Sequence, residues 1–213
     1  MDLAPFLGPT AFVDAEHPSI TALCRSLELD GLSPGDRAVR IAEHVRASVA
    51  YQFAAKRTRE EYLASRVLAD GRGFCVQKAV LACALGRAAG VPSAIVLCDM
   101  RDASLPPHVT AALGTDVMFH HGINAFFVDD RWWRVDASLT PEVLGKKDVE
   151  VLPFATSADC LLPPSRKDGR PHAEYQRFHG TYADLPFEPM LMAFATGYAR
   201  ADIPALRRMG IGG

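Results

Sequence analysis

The chain has 213 residues, 49% of them hydrophobic and 23% charged, with a formal net charge of −2. That is enough chain to bury one sizeable core, and the whole of residues 1–213 is expected to form a single domain. The near-neutral balance offers no electrostatic reason to bind nucleic acid or an anionic membrane, and no apolar run approaches the roughly 18 residues that span a bilayer.

Met1-Asp2-Leu3-Ala4-Pro5 shows no basic stretch leading into an apolar one, so no secretory signal is expected. Residues 18–28 read as a short helix with Ile20, Leu23 and Leu27 turned inward. Ser33-Pro34-Gly35-Asp36 reads as a capping box with proline at the first helical position. Ala38, Ile41, Ala42, Val45 and Val49 then recur at helical spacing, which predicts an amphipathic helix over 34–50. Lys56-Arg57-Thr58-Arg59 is a small basic cluster, read as solvated, ahead of a weaker helix over 60–68.

The most apolar helix opens at Cys75 and is closed by Gly90 and Pro92. One face carries Cys75, Ala79, Ala82, Gly86 and Ala89, small enough for another layer to approach closely. Beyond it the period changes. Residues 93–98 and 121–128 are β-rich, Asp129-Asp130 makes a tight turn, and 132–135 completes a hairpin. Residues 149–152 are a further candidate strand, 161–174 a proline- and glycine-bearing loop, and 190–208 a helical segment broken at Pro204. Helices first and an antiparallel sheet after them make the chain α+β.

Five scattered cysteines, Cys24, Cys75, Cys83, Cys98 and Cys160, form no CxxC pair. That argues against a disulfide framework and against a zinc site, and fits a reducing, cytoplasmic compartment. Cys24, Cys83 and Cys98 sit in apolar surroundings as small core residues. Cys75 is different, because Gly71-Arg72-Gly73-Phe74 precedes it and a helix follows it. Unpaired backbone N–H groups and the positive dipole end of that helix would favour a thiolate and then the oxyanion formed on attack at an acyl carbon.

A nucleophilic thiol also needs a base, and seven histidines are available. His120 and His121 point to opposite faces of an extended strand; His121 shares its face with Ile123, Ala125 and Phe127, which favours it as the inward one. Asp136 lies 15 residues further, across the Asp129-Asp130 turn. A hairpin sets the two side by side, so that the carboxylate accepts the imidazole Nδ1–H and fixes its tautomer. Cys75, His121 and Asp136 are the expected triad. Gly73 and Phe74 stand at its approach. Trp132 and Trp133 straddle a strand, leaving open whether a ring walls a substrate cleft or packs the hairpin. His172, His179 and Asp184 read as surface or loop-anchoring residues, and the 161–174 loop is open to being a lid or a plain surface segment.

On these residues the chain resembles the transglutaminase-like superfamily, whose fold is related to papain, and within it small bacterial proteins of the transglutaminase-like and cysteine protease kind. The resemblance covers about residues 10–190, leaving 190–213 as a tail. It rests on Gly73-Phe74-Cys75 with Arg87-Ala88-Ala89-Gly90-Val91-Pro92 closing the helix, on the His121-Gly122-Ile123 strand, and on Asp136 after a tryptophan-bearing strand. Glu174-Tyr175, Gly180 and Asp184-Leu185-Pro186-Phe187 extend it.

What the resemblance implies is a Cys-His-Asp site acting on amide or isopeptide bonds through an acyl-enzyme, with no metal or organic cofactor and a peptide or amide as substrate. There are departures. Ala125 stands where the family often has glutamate, and no glutamine precedes the cysteine as in papain-like proteases, so the second oxyanion donor is open between Tyr51 and Gln52. The Gly-rich entry also resembles the acetyl-CoA-dependent arylamine N-acetyltransferases, but the order Gly71-Arg72-Gly73 and Gln77 two residues after the cysteine depart from them. Three functions follow: a cysteine hydrolase (peptidase or amidase), an acyltransferase in which an amine outcompetes water, and a catalytically silent binding module. The intact triad counts against the third, only the acyl-acceptor pocket separates the first two, and the hydrolase is the function expected.

Overall fold

In a computed structural model of the protein, residues 2–208 except 55 and 57 are described; Met1, Arg57 of the basic cluster and the last five residues of the tail lie outside them. The helices are α1 (Pro18–Ser26), α2 (Pro34–Ser48), α3 (Ala64–Asp70), α4 (Cys75–Ala88), α5 (Pro107–Leu113), α6 (Pro141–Lys146), α7 (Phe187–Gly197) and α8 (Ile203–Arg208). A short parallel pair joins β1 (Ala50–Tyr51) to β2 (Arg72–Gly73). The main sheet is antiparallel in the order β5 (Arg131–Val135), β4 (Val117–Val128), β3 (Ser93–Asp102), β6 (Ala173–Tyr182). The chain is α+β, as its periodicities predict.

Every residue of α4 from Cys75 to Arg87 is buried. Such a helix needs an apolar layer on each side. One side is met by α1, α2 and α3, the other by β3 and β4. The small stripe matters on the sheet side: a side chain on Gly86 would overlap Ser93 Oγ and Phe126, and Asn124 Nδ2 donates to the Ala79 carbonyl at 2.7 Å. The polar residues of this helix are satisfied rather than exposed. Lys78 Nζ donates to the Val49 carbonyl at 2.8 Å, and Arg87 binds the carbonyls of Gly8, Ser93 and Ala183.

The Ser33 hydroxyl caps α2 by accepting from Asp36 N–H at 3.1 Å, as the capping box predicts. Asp129 and Asp130 both have positive φ, 52° and 59°, the backbone of a two-residue hairpin turn.

Other expectations need correction. The 60–68 helix is a 3-10 turn, Glu60–Tyr62, then α3, because Leu63 is extended and Tyr62 is drawn fully into the core. Residues 149–152 form no strand: Val149 packs in the cluster beside α6, and the Leu152 carbonyl accepts from Arg46 Nη1 at 2.9 Å instead of from a neighbouring strand. Pro204 does not break the C-terminal helix. It lies in the first turn of α8, where its missing N–H costs nothing, and the break falls earlier, between α7 and α8. The loop 161–174 ends in an unforeseen edge strand, β6, whose polar outward residues hide its period.

Candidate active site

The approach to Cys75 is built from main chain. Gly71 ends α3 with φ +62°, and β1 lies along the next residues, Ala50 N–H donating to Gly71 O and Gln52 N–H to Gly73 O, both at 3.0 Å. Gln77 holds the turn into α4: its Oε1 accepts from Phe74 N–H at 3.2 Å, and its Nε2 donates to Glu61 O at 2.6 Å. Cys75 is the first residue of α4 and is 8% exposed. Its N–H has no carbonyl one turn back to bind, so it is available to a ligand.

Strand β4 brings the histidine. A Cβ on Gly122 would lie 2.6 Å from Val76 Cα, so the first turn of α4 rests directly on the strand backbone next to His121. Only glycine permits that approach. The Cys75 sulfur is near enough to the His121 ring to favour its charged form, and His121 Nε2 donates to Asp136 Oδ2 at 2.6 Å. The tautomer expected from the sequence is therefore reversed. The carboxylate takes Nε2, which leaves Nδ1 as the nitrogen free to meet the sulfur.

Asp136 is completely enclosed and saturated. Tyr175 Oη donates to Oδ2 at 2.7 Å, Ser138 N–H donates to Oδ1 at 2.9 Å, and buried Arg46 donates to the Asp136 carbonyl at 3.3 Å. Burial alone would raise this carboxyl, but the His121 charge and these hydrogen bonds outweigh it and hold it well below the usual carboxylate range. Burial likewise works against a charged His121; the charges of Asp136 and Cys75 and the hydrogen bonds to both overcome it, so the imidazole is held well above its ordinary value. The remaining cysteines behave otherwise. Burial pushes Cys83 and Cys98 up to about 12 and also raises Cys24 and Cys160, leaving four unreactive thiols.

Tyr51 is brought to the same place. Half-buried, it feels the Cys75 sulfur and Asp136, which together with desolvation keep its hydroxyl protonated. It lines, with His121 and Ser138, a cavity of about 150 Å³ walled by Phe53, Met100 and Leu139 among others. Gln52 pairs with Gly73 through its main chain. Gly73 is buried against Gln77, and Phe74 packs edge-on to Tyr62 at 5.8 Å in the core. Trp133 is core, with Arg131 stacked on it at 4.4 Å, and Trp132 packs on Phe6 and Phe127; neither lines the cavity at His121. His172 and Asp184 do anchor loops, through Pro163 O and through Thr10 and the Phe12 N–H respectively. His179 does not: it lies on β6 and bonds Asp99.

The sequence reading assigned no role to Tyr175, Gln77, Gly122 or Ser138. A signal existed for two: Gly122 follows the histidine directly, and Tyr175 lies in the segment that carries the family resemblance.

The model of the transglutaminase-like superfamily matches residues 21–137, from within α1 to the residue after Asp136. No curated protein matches the chain. The solved structure of a putative cysteine protease from Cytophaga hutchinsonii is similar, with 18% identity and a TM-score of 0.50, over 88% of this chain and 58% of that one. A putative protease from Parabacteroides distasonis is similar over 63% of this chain and 26% of that one, with 15% identity and a TM-score of 0.39. This chain thus spans little more than half the length of the first and about a quarter of the second. The family match runs through the helix that opens at Cys75, the strand of His121 and the end of the hairpin at Asp136, and the chain belongs to the transglutaminase-like superfamily.

Proposed function

We propose that the protein is a cysteine hydrolase that cleaves amide or isopeptide bonds through an acyl-enzyme, with Cys75, His121 and Asp136 as its triad. The observation that carries this is one buried imidazole that feels the Cys75 sulfur and is bonded, at 2.6 Å, to a carboxylate saturated by three donors. A structural ion pair would not require the thiol; a proton relay does.

His121 takes the Cys75 proton through Nδ1, and Asp136 stabilises the resulting imidazolium at Nε2. The thiolate attacks the acyl carbon, and the negative charge moves to the carbonyl oxygen. The N–H of Cys75 faces that oxygen, with the Tyr51 hydroxyl as the second donor in this reading. Collapse of the intermediate breaks the C–N bond, and His121 passes its proton to the departing amine. Water then loses a proton to His121 as its oxygen attacks the thioester, and collapse returns the sulfur as leaving group and releases the acid.

The test is alkylation of Cys75 by iodoacetamide at pH 6, where an unassisted thiol is less than about 1% ionised. The wild type should react at least ~100-fold faster than His121→Ala, and incubation with amide substrates should leave an acyl mass on Cys75. Equal, slow rates in both proteins would sink the triad and leave the binding-module reading.

A further inference from the structure

His120 points away from the site just described, into a cluster that the hydrolase reading leaves unused. Three adjacent strands carry Asp99 on β3, His120 on β4 and His179 on β6, with a ligand atom of each within 4.8 Å of the others. Both ladders are irregular at this level. Pairing of β3 with β4 jumps from Cys98–His121 to Met100–Met118, which leaves Phe119 and His120 opposite Asp99. Pairing with β6 jumps from Leu97–Gly180 to Cys98–Phe178, which makes His179 the extra residue. Bulges of this kind re-aim side chains. His120 moreover has φ +48°, a left-handed backbone that a non-glycine residue adopts at a cost.

The side chains so aimed are poorly served by one another. Asp99 Oδ1 accepts from His179 Nε2 at 2.8 Å and from the main-chain N–H of His120 at 3.1 Å. The His120 ring nitrogen Nδ1 lies 3.8 Å from the same oxygen and is buried without a hydrogen-bond partner among the described residues. The two imidazoles stack at 4.1 Å, an arrangement that disfavours a proton charge on both. A buried, unpartnered ring nitrogen is costly, and the two bulges that produce one, one of them with a left-handed backbone at His120, call for a ligand.

We infer that Asp99, His120 and His179 form a binding site for a divalent transition-metal ion, with zinc as the chemistry that fits best. Two neutral imidazoles and one carboxylate are ligands that zinc accepts, whereas magnesium and calcium select oxygen. On one tetrahedral ion with bonds of ~2 Å the ligand atoms sit roughly 3.3 Å apart, so the present spacing needs only a small closure. Side-chain exposures of 15% for both histidines and 17% for Asp99 leave the cluster reachable from solvent. Binding displaces the proton shared between His179 and Asp99 and gives His120 Nδ1 a partner. Tyr198, which feels both Cys75 and Asp99 and accepts from Phe119 N–H at 3.0 Å, is packed between the two sites. The site stands whether or not the triad hydrolyses amides.

The experiment is isothermal titration of the full chain with zinc chloride in a Cys75→Ser background, so that the thiol is not a competing ligand. One equivalent should bind with Kd at or below about 10 µM, and His179→Ala should weaken it at least tenfold, as should Asp99→Asn. His179→Gln, which preserves bulk on the edge strand, guards against misfolding, with circular dichroism as the check. Cobalt in place of zinc should give visible d–d absorption that disappears in His179→Ala. Absence of binding, or zinc affinity and cobalt spectrum unchanged in the folded variants, would overturn the proposal.

Discussion

His120 and His121 are consecutive residues of one strand, each beside an aspartate, and they end in opposite conditions. His121 is 3% exposed, yet it is held in the charged direction, because Asp136 faces it with its own lone pairs already engaged by Tyr175 and Ser138. His120 is less buried, yet burial and the neighbouring His179 push it toward the neutral form, Asp99 being too distant to compensate. Depth of burial does not decide the charge of a histidine. A near carboxylate fixed by other donors does, and a second imidazole across the ring reverses it.

Removing the two carboxylates should separate these settings most sharply. Asp136→Ala leaves an imidazole charge buried without its partner and should cost about 3–5 kcal/mol in urea unfolding. Asp99→Ala, at a partly solvated cluster, should cost under about 1 kcal/mol; equal losses would break the comparison. The same contrast has a pH form. The folded-state value of Asp136 lies below its unfolded value, so its contribution to stability is complete above the ordinary carboxylate range and is lost as pH falls through and below about 4. Asp136→Asn should flatten that acid limb of stability against pH.

A smaller effect is expected where strand and helix touch. Gly122→Ala places a methyl 2.6 Å from Val76 Cα and should cost about 1–3 kcal/mol. It should also slow Cys75 alkylation by moving sulfur from imidazole, whereas Gly145→Ala, which meets open space, should leave that rate unchanged. The smallest is Tyr175→Phe. One of three donors to the Asp136 carboxylate is lost, worth about 1 kcal/mol and a few-fold in the rate of Cys75 alkylation; a loss as large as that of Asp136→Ala would make Tyr175 part of the centre rather than its support.

Much of this was readable along the chain. Local signals mark α2, α4 and the β4–β5 hairpin: a serine cap, a Gly-Pro stop and two aspartates in a turn that requires positive φ. Strand alternation favours His121 over His120 without settling the choice, and the bulge at His120 interrupts that alternation. Strand β6 was not readable, because an edge strand needs no apolar face, and neither was the position of Pro204 inside α8 rather than at a break.

The sequence by itself determined the α+β class and the place of Cys75 at a helix start, since caps, periods and glycines act within a few residues. Only the tertiary structure decided which imidazole nitrogen meets Asp136, that Tyr175 and Arg46 arrive to hold that aspartate, and that Asp99, His120 and His179 converge. Those are contacts between strands and helices distant in sequence. They are set by register, bulges and the closeness of packing on Gly122, which no local pattern encodes.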